Sequence, residues 1–442
     1  MKKLALYGYG VFGKRTAESF RFFWGGEYEV TAVFDRDRAG EDDEYWSLRV
    51  LSPERIGAEY KKGIFEAVMV CIGDEETRTQ LQKRMQQQGI PVFLPGKTED
   101  FAEQGAFRED GTPEIAVDRG KYSLRVYENM FGAVADFARC QIVFLFDENG
   151  RLNIGNYRTY LEDYEPLLRM PPFRRRNPVP EKVYMKGSWC VIAKAFSTNY
   201  WHFTFEAADC VFLLERAGYR GKYIFNDVPF ARELLQIMGV SPDRLVGTRE
   251  LDIHRVYAFE KLYELNHAGM RKMECSAEVI SEMADFFRAK LKKEEDSPRR
   301  IYIKRIGRRK LLNGEETAVR NGFRVIVPEE YGVREQMTLF HNADIVLCPH
   351  GANSTNCLYM HKGAVFAELF SDSWQAAYNP GICAANGVHY LRLVGKARSD
   401  RAEDIEADYS VDAVALQNLI LEAERILAEE QRAERPDTDR FR

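Results

Sequence analysis

A polar loop that follows a short apolar run carries the residue types best suited to chemistry. Residues 344–347 read Asp-Ile-Val-Leu and predict a buried parallel strand. Such strands present ligand-binding groups where they end, at the carboxyl edge of the sheet. The loop begins at Pro349, and Gly351 would let its backbone approach a ligand closely. A helix starting near Ser354 to Asn356 would direct free N–H groups at an anion, so the pattern predicts a diphosphate site.

The same loop supplies most of the candidate residues for binding a phosphorylated ligand. They are His350, Gly351, Ala352, Asn353, Ser354 and Asn356. Asparagine, serine and threonine are also ordinary N-cap residues, so helix capping is the alternative interpretation. The next apolar run, residues 365–369, carries a single carboxylate, Glu368. A lone acid on a buried strand usually needs a partner, and ribose hydroxyls are one such partner.

Two arginines four residues apart precede this region and predict a second contact with an anion. Arg305 and Arg309 follow a probable strand, and Asn313 comes four residues later. Guanidinium groups bind diphosphate oxygens through paired hydrogen bonds and neutralise a leaving group without a metal. The alternative is a surface loop whose charges pair with Glu315 and Glu316.

A histidine and a glutamate at a predicted helix start are the candidates for proton transfer. His202 and Glu206 lie four residues apart, which places them on one face if that turn is helical. Either side chain could take a proton from an acceptor hydroxyl. The alternative is a structural histidine, because Trp201 and Phe203 flank it and suggest partial burial.

A glycine-rich turn after the first apolar strand predicts a nucleotide-binding site. Residues 8–13 read Gly-Tyr-Gly-Val-Phe-Gly, and Asp35 ends the second strand, where a ribose-binding acid belongs in a dinucleotide fold. The candidates for binding NAD(P) or another nucleotide are Gly8, Gly10, Val11, Phe12, Gly13 and Asp35. Tight helix packing explains Gly8 and Gly13 without a ligand. Residues 35–37 also permit a metal-binding DxD interpretation, although the upstream glycines favour ribose binding or strand-end capping.

The elements that would position these groups alternate between strands and helices. The alternation predicts an α/β protein with three Rossmann-like units. Their predicted limits are residues 1–110 for a nucleotide-binding unit, 120–275 for an acceptor-side unit and 276–435 for a donor-side unit. The last two would face each other across a cleft. Residues 259–291 predict a mostly helical segment whose charged end is typical of a solvated linker.

Composition limits the classes of partner. The net charge of −5 and the pI of about 6.0 argue against nucleic acid. No apolar run approaches membrane-spanning length, so membrane contact would be peripheral, with Arg174 to Arg176 a candidate for lipid headgroups. Eight scattered cysteines indicate buried free thiols, which predicts a reducing compartment, the cytoplasm. The sequence leaves a homo-oligomer open.

Three segments resemble glycosyltransferase family 61, which includes plant xylosyltransferases and animal N-acetylglucosaminyltransferases. They read NYWHFTFEAADCVFLLE, IYIKRIGRRKLLNGEE and GFRVIVPEEYGVREQMTLFHNADIVLCPHGANSTNCLYMHKGAVFAEL, within residues 180–375. The elements that carry the resemblance are Arg305, Arg309, Asn313, Glu335, Gln336, His350, Gly351, Ala352, Asn356 and Glu368. The resemblance implies a GT-B fold, inverting transfer from a nucleotide sugar such as a UDP-sugar, and no obligatory metal. The family usually has Asn-Glu where this chain has Asn313-Gly314. The acid of the family motif is therefore missing at position 314, and Glu315 is the residue that could take its place.

The first hundred residues separately resemble the nucleotide-binding domain of bacterial polysaccharide-modifying enzymes. A chain that joins these two modules resembles bacterial capsular polysaccharide biosynthesis proteins. They imply a glycan or lipid-linked oligosaccharide as acceptor, at the inner face of the membrane. Two alternatives remain at this stage. One is an NAD(P)-dependent sugar-modifying oxidoreductase that uses the first unit, and the other is a non-catalytic nucleotide-sensing protein.

Overall fold

The structure of the chain is a computed structural model. The residues it describes are 2–10, 13–14, 16–17, 20, 28–43, 46–72, 74–93, 113–118, 120, 122–137, 140–146, 182–194, 196–252, 255–267, 276–399 and 406–433. Three sheets with helices on their faces make up this part of the chain, which confirms the predicted α/β class with Rossmann-like units. The predicted unit boundaries stay predictions, and Arg174 to Arg176 lie outside the described residues.

The first sheet has five strands and contains the glycine-rich turn. Its strands are β1 (Lys2–Tyr7), β2 (Tyr28–Phe34), β3 (Asp42–Asp43), β4 (Leu48–Leu51) and β5 (Ala67–Val70). They are ordered β3-β4-β2-β1-β5, and all neighbours run parallel except β3 and β4. Helices α1 (Ile56–Lys61) and α2 (Glu75–Gln87) pack on one face. Beyond β5, an isolated parallel bridge joins Val68 to Val92.

The second sheet has six strands, four of them parallel neighbours. They are β6 (Tyr122–Phe137), β7 (Cys140–Phe146), β8 (Lys182–Val191), β9 (Lys222–Phe225), β10 (Leu245–Gly247) and β11 (Val256–His267), in the order β10-β9-β8-β11-β6-β7. Strands β6 and β7 are antiparallel additions. Helices α3 (Tyr200–Phe203), α4 (Asp209–Arg216) and α5 (Pro229–Ile237) belong to this unit, and a π-helical segment, Thr204–Ala208, joins α3 to α4.

The prediction of a mostly helical segment at residues 259–291 was wrong for its first part. That part is the central strand β11, which pairs with β6 and β8. The helix, α6 (Ala277–Arg288), begins later. Valine, tyrosine and phenylalanine at the start of β11 fit a buried pleated surface, and this preference outweighs the charges that suggested a helix.

The third sheet carries the loop with the histidine and has six strands. They are β12 (Arg300–Ile303), β13 (Arg324–Ile326), β14 (Ile345–Pro349), β15 (Val365–Ser371), β16 (His389–Ala397) and β17 (Tyr409–Ser410), in the order β13-β12-β14-β15-β16-β17. Only β17 is antiparallel to its neighbour. The helices are α7 (Glu315–Arg320), α8 (Val333–Asn342), α9 (Asn379–Asn386) and α10 (Ala413–Ala433). The predicted helix after the loop is a 3₁₀ helix, Ala352–Tyr359, which begins earlier than expected.

The second and third units share one continuous apolar core. Phe203 and Leu214 of the second unit belong to the same cluster of buried side chains as Phe287, Phe340 and Tyr359 of the third. Glu233 on α5 adds a polar connection, because its two carboxylate oxygens accept from the backbone N–H groups that open α8, at 2.8 and 3.0 Å. A carboxylate is favourable at that end of a helix dipole. The two units are therefore held in a defined relative position.

Two further predictions concern cysteines and membranes. Six described cysteines are free and buried, as predicted: Cys71, Cys190, Cys210, Cys348, Cys357 and Cys383. Burial raises the pKa of the Cys71 thiol to about 12, so it stays protonated at neutral pH. Among the helices in the described ranges, none has the length and apolar character needed to cross a membrane.

Candidate active site

The polar loop of the third sheet places a histidine directly on a buried carboxylate. His350 follows the end of β14, and its Nδ1 lies 2.6 Å from Oε1 of Glu368 on β15. The parallel register sets Cys348 opposite Glu368, which brings the residue two positions later within reach of the acid. The His350 ring also stacks on Phe370, with 4.7 Å between centroids. The imidazole is therefore fixed in position and orientation.

Glu368 lies at the centre of a buried hydrogen-bond network. It is 0% exposed. Oε1 also accepts from Nδ2 of Asn379 at 2.7 Å, and Oε2 accepts from the hydroxyl of Tyr390 at 2.8 Å. Burial, followed by the negative charge of Glu368, raises the pKa of Tyr390, so this phenol keeps its proton and donates. Protein groups engage both oxygens, which favours a role in holding His350 over the predicted contact with a ribose.

Arg305 lies against the backbone of the same loop. Its Nη1 donates to the carbonyl oxygen of His350 at 2.9 Å, and its Nε donates to that of Arg308 at 2.6 Å. A Cβ atom added to Gly351 would lie 1.5 Å from Nη1 of Arg305. The glycine is therefore required by the close approach of the guanidinium, whereas the sequence had suggested close approach of a ligand.

Arg309 adds a second, strained cation close to Arg305. Its φ of 57° lies in the left-handed region, which is uncommon for a residue with a side chain. Burial lowers its pKa, the positive charges of Arg305 and Arg308 add to that effect, and Glu406 opposes it. Its buried Nε has no hydrogen-bond partner among the described residues. An anion placed there would relieve the mutual repulsion and supply the missing acceptor.

Asn313 and Gly314 have structural positions that the sequence did not indicate. The Asn313 amide donates to the carbonyl of Val411 at 2.8 Å and accepts from its N–H at 3.1 Å. This pairing leaves donor binding by Asn313 without support from the geometry. A Cβ at Gly314 would lie 2.4 Å from a methyl carbon of Leu311. The glutamate that the family usually carries there would not fit without rearrangement.

Most polar side chains of the loop bind its own backbone. The Ser354 hydroxyl donates to the backbone carbonyl of Gly351 at 2.5 Å. The Asn356 amide donates to the backbone carbonyl of Asn353 at 3.2 Å and to Oε1 of Gln336 at 3.0 Å. Ser354 and Asn356 are fully buried. They therefore shape the loop from inside the 3₁₀ helix, whose N-cap is Gly351, so the capping interpretation was wrong for these side chains. Ala352 and Asn353 are half-buried, at the start of the 3₁₀ helix, where the first N–H groups lack intrahelical partners.

The second unit contributes another histidine paired with a glutamate. Nδ1 of His202 lies 3.2 Å from Oε2 of Glu206, so the predicted shared face is confirmed. The Asn199 side chain caps the start of α3 by accepting from Trp201 N at 2.9 Å. The π-helical segment then begins at Thr204, and such segments occur frequently at functional sites. The side chains of His202 and Glu206 are 20% and 6% exposed.

A tryptophan and an asparagine connect the two histidine–glutamate pairs across the interface between units. Nε1 of Trp201 donates to Oδ1 of Asn379 at 3.4 Å, while Nδ2 of Asn379 donates to Glu368. Trp201 also packs on Tyr378, with ring centroids 5.0 Å apart. Burial raises the pKa of Tyr378, and the charge of Glu206 adds to the effect. Asn379, Tyr378 and Tyr390 were missed by sequence reasoning, because isolated polar residues on α9 and β16 carry no motif.

The glycine-rich turn of the first unit is explained only in part by packing. A Cβ at Gly13 would lie 1.8 Å from the Gly8 carbonyl oxygen, and Gly8 itself has φ 101°. Added to Gly10, a Cβ would meet nothing within 4 Å, so neither packing nor a positive φ requires that glycine. Asp35 accepts from the N–H groups of Tyr9, Asp37 and Arg38 at 2.6, 2.9 and 3.0 Å. Val11 and Phe12 lie outside the described residues.

The second and third units match a known protein family. Cations, histidines and buried acids at the edges of Rossmann-like sheets are features of enzymes that bind nucleotides. Residues 200–367 match the model of the family described as Glycosyltransferase 61. This region of the chain is therefore that of a family 61 glycosyltransferase. The match spans less than half of the chain; it includes His202, Glu206, Arg305, Arg309 and His350, and it ends one residue before Glu368.

Other comparisons add little. No curated protein matches the chain. The crystal structure of UDP-D-quinovosamine 4-dehydrogenase from Vibrio fischeri is similar to a part of it, with 19% identity over 23% of this chain and 84% of that one, and a TM-score of 0.20.

Proposed function

We propose that this glycosyltransferase moves a sugar from a nucleotide sugar, most simply a UDP-sugar, to a hydroxyl of a glycan or polysaccharide intermediate with inversion. The observation that carries the proposal is the position of His350, fixed by Glu368, beside Arg305 and Arg309 at the carboxyl edge of the third sheet. Parallel α/β sheets bind ligands at this edge. The family supplies the reaction class.

The proposed reaction is a single displacement at the anomeric carbon. The acceptor oxygen forms a bond to that carbon as the bond to the diphosphate oxygen breaks. Arg305 and Arg309 bind the leaving diphosphate, whose negative charge their guanidinium groups neutralise. His202 takes the proton of the acceptor hydroxyl, and Glu206, paired with its Nδ1, stabilises the imidazolium that forms. His350 lies next to the diphosphate and orients it.

The first unit is proposed to bind a nucleotide, with NAD(P) among the candidates. Gly10 supports this proposal, because its open surroundings would admit a pyrophosphate against the backbone. The nucleotide takes no part in the displacement described above.

Loss of the Arg309 side chain tests the donor site. Arg309→Ala and His350→Ala are each expected to weaken UDP binding by roughly 10- to 100-fold, because each removes a charge-assisted or oriented hydrogen bond. Calorimetric titration of the full chain with UDP measures the effect. Matched controls are Arg320→Ala, whose partner is the exposed Glu316, and His389→Ala, which meets Glu430 on α10. Unchanged UDP affinity in both test variants would remove the site assignment.

A small substitution tests the Arg305 contact separately. Gly351→Ala is expected to displace the Arg305 guanidinium, since the added methyl would occupy its position, and to weaken UDP binding about tenfold. The thermal midpoint should change little, because the displaced atoms end a flexible side chain. Gly381→Ala on α9 is the control, since its Cβ would meet nothing within 4 Å. Full UDP affinity in Gly351→Ala would separate Arg305 from donor binding.

A further inference from the structure

A cavity in the first unit lies on the face of the sheet covered by α1 and α2 and reaches the carboxyl edge of the sheet. Its volume is about 560 Å³, which is within the range of small-molecule sites. The ends of three neighbouring parallel strands contribute to it through Tyr7 of β1, Arg36 after β2 and Glu54 after β4. Ligands of open parallel sheets bind at such an edge. The cavity adjoins the glycine-rich turn, because Tyr7 directly precedes Gly8.

The lining combines an apolar floor with aromatic rings. Ile56, Met85 and Ile90 are buried side chains of the adjoining core. Tyr7 and Tyr60 are partly buried and present phenol rings to the space. Surfaces of this kind accept a planar base by stacking and apolar contact.

Cations outnumber acids around the cavity. Arg36, Lys61 and Arg84 line it together with one carboxylate, Glu54, which accepts from the hydroxyl of Ser52. The described residues give Lys61 and Arg84 no ion-pair partner. Arg36 pairs at 3.0 Å with Asp37, but both side chains are largely exposed, and such pairs are weak. Burial raises the pKa of Tyr7, with Arg84 opposing and Glu54 and Asp35 adding, so these charges lie close to the phenol.

The state of Asp35 decides which ribose the site prefers. An acid at this position binds the free 2′-hydroxyl of a dinucleotide ribose, whereas a nearby arginine accommodates a 2′-phosphate. Here Asp35 accepts from three backbone N–H groups, of Tyr9, Asp37 and Arg38, and those bonds shape the turns on both sides. The carboxylate therefore already accepts hydrogen bonds from the protein backbone. Arg36, the next residue, is the group that remains for the ribose.

We infer that this cavity binds the base and the phosphorylated ribose of a nucleotide of the NADP type, with Arg36, Lys61 and Arg84 selecting for the ribose phosphate. The inference rests on the proposal that the first unit binds a nucleotide, and it adds the preference for a second phosphate. It is independent of sugar transfer at the interface of the other two units.

Titration with 2′,5′-ADP and with 5′-AMP tests the inference. The full chain is first saturated with UDP, which keeps the proposed donor site occupied. 2′,5′-ADP is expected to bind at least about tenfold more tightly than 5′-AMP, because charge-assisted hydrogen bonds to the extra phosphate add to the contacts of the base. In the triple variant Arg36→Gln, Lys61→Gln, Arg84→Gln the ratio should fall to about twofold or less. Lys83→Gln, on α2 but not in the lining, should retain the native ratio.

The outcomes separate the two proposals. Equal affinities in the native chain, or a preference that survives the triple variant, would overturn the preference for a ribose phosphate while leaving nucleotide binding in place. Binding of neither nucleotide would overturn both. The donor site is tested separately by UDP affinity, which the triple variant should leave unchanged.

Discussion

Replacing His202 with alanine is expected to lower kcat by about 10²- to 10⁴-fold, with the KM for the nucleotide sugar changed by less than about threefold. The proposed donor contacts lie on the third unit, whereas His202 lies on the second, so its loss should affect proton transfer more than donor binding. An imidazole held by a carboxylate at Nδ1, as His202 is by Glu206, takes a proton at Nε2. Steady-state release of UDP from a UDP-sugar, with and without acceptor, measures both constants.

The His202 experiment includes two comparisons. His361→Ala is a matched control, because His361 is paired with Asp344 at 3.1 Å on the amino side of β14, away from the loop. Glu206→Gln should give an intermediate loss of about tenfold or more in kcat, since the hydrogen bond can persist without the charge. A His202→Ala enzyme with native kcat and a strongly impaired Glu206→Gln enzyme would move the base to Glu206.

The sheets were predictable from sequence because their strands are short apolar runs between turn residues. Strand β14 and the loop after it are an example. The apolar run Asp344 to Leu347 predicted a buried strand, and β14 extends over Ile345–Pro349. Strand β11 was misread because Glu260, Lys261 and Glu264 interrupt its apolar residues. Glu264 is nevertheless buried, and its carboxylate accepts from the hydroxyl of Tyr127 on the neighbouring strand β6 at 3.0 Å.

The histidine loop was found from sequence, but its internal pairings were not. A lone acid in a buried strand signalled that Glu368 needs a partner. The sequence offered a ribose, whereas the register of β14 with β15 supplies His350, and residues more than ten positions away supply Asn379 and Tyr390. Strand register and the packing of α9 are tertiary properties, so no local pattern encodes them.

The contacts between units connect the two histidine–glutamate pairs. The Asn379 side chain forms hydrogen bonds with Trp201, the neighbour of His202, and with Glu368, the partner of His350. A change in the relative position of the units would therefore alter both pairs together. Glu233 on α5 opposes such a change, because its carboxylate accepts two hydrogen bonds from the backbone at the start of α8. In the proposed mechanism, proton transfer by His202 and donor binding near His350 would therefore both depend on the geometry of this interface.

Removing the buried carboxylate is expected to have the largest effect on stability. Glu368→Ala should lower the free energy of unfolding by about 3–5 kcal/mol, because it leaves the donors of His350, Asn379 and Tyr390 without their acceptor and opens a cavity. Glu368→Gln keeps the volume and one carbonyl oxygen, so the loss should be about 1–3 kcal/mol. Urea denaturation followed by circular dichroism measures the change, with the shift in midpoint as the observable.

The comparison with an exposed ion pair distinguishes burial from charge pairing alone. Glu424 on α10 lies 2.6 Å from Arg300, but both side chains are about one third exposed. Glu424→Ala should therefore cost at most about 1 kcal/mol. Similar losses for the two alanine variants would contradict a buried network around Glu368. Glu368→Gln could instead keep the native stability but bind UDP more weakly. This result would show that the charge of Glu368 acts mainly through His350, because the amide can keep its hydrogen bonds while no longer favouring one imidazole orientation.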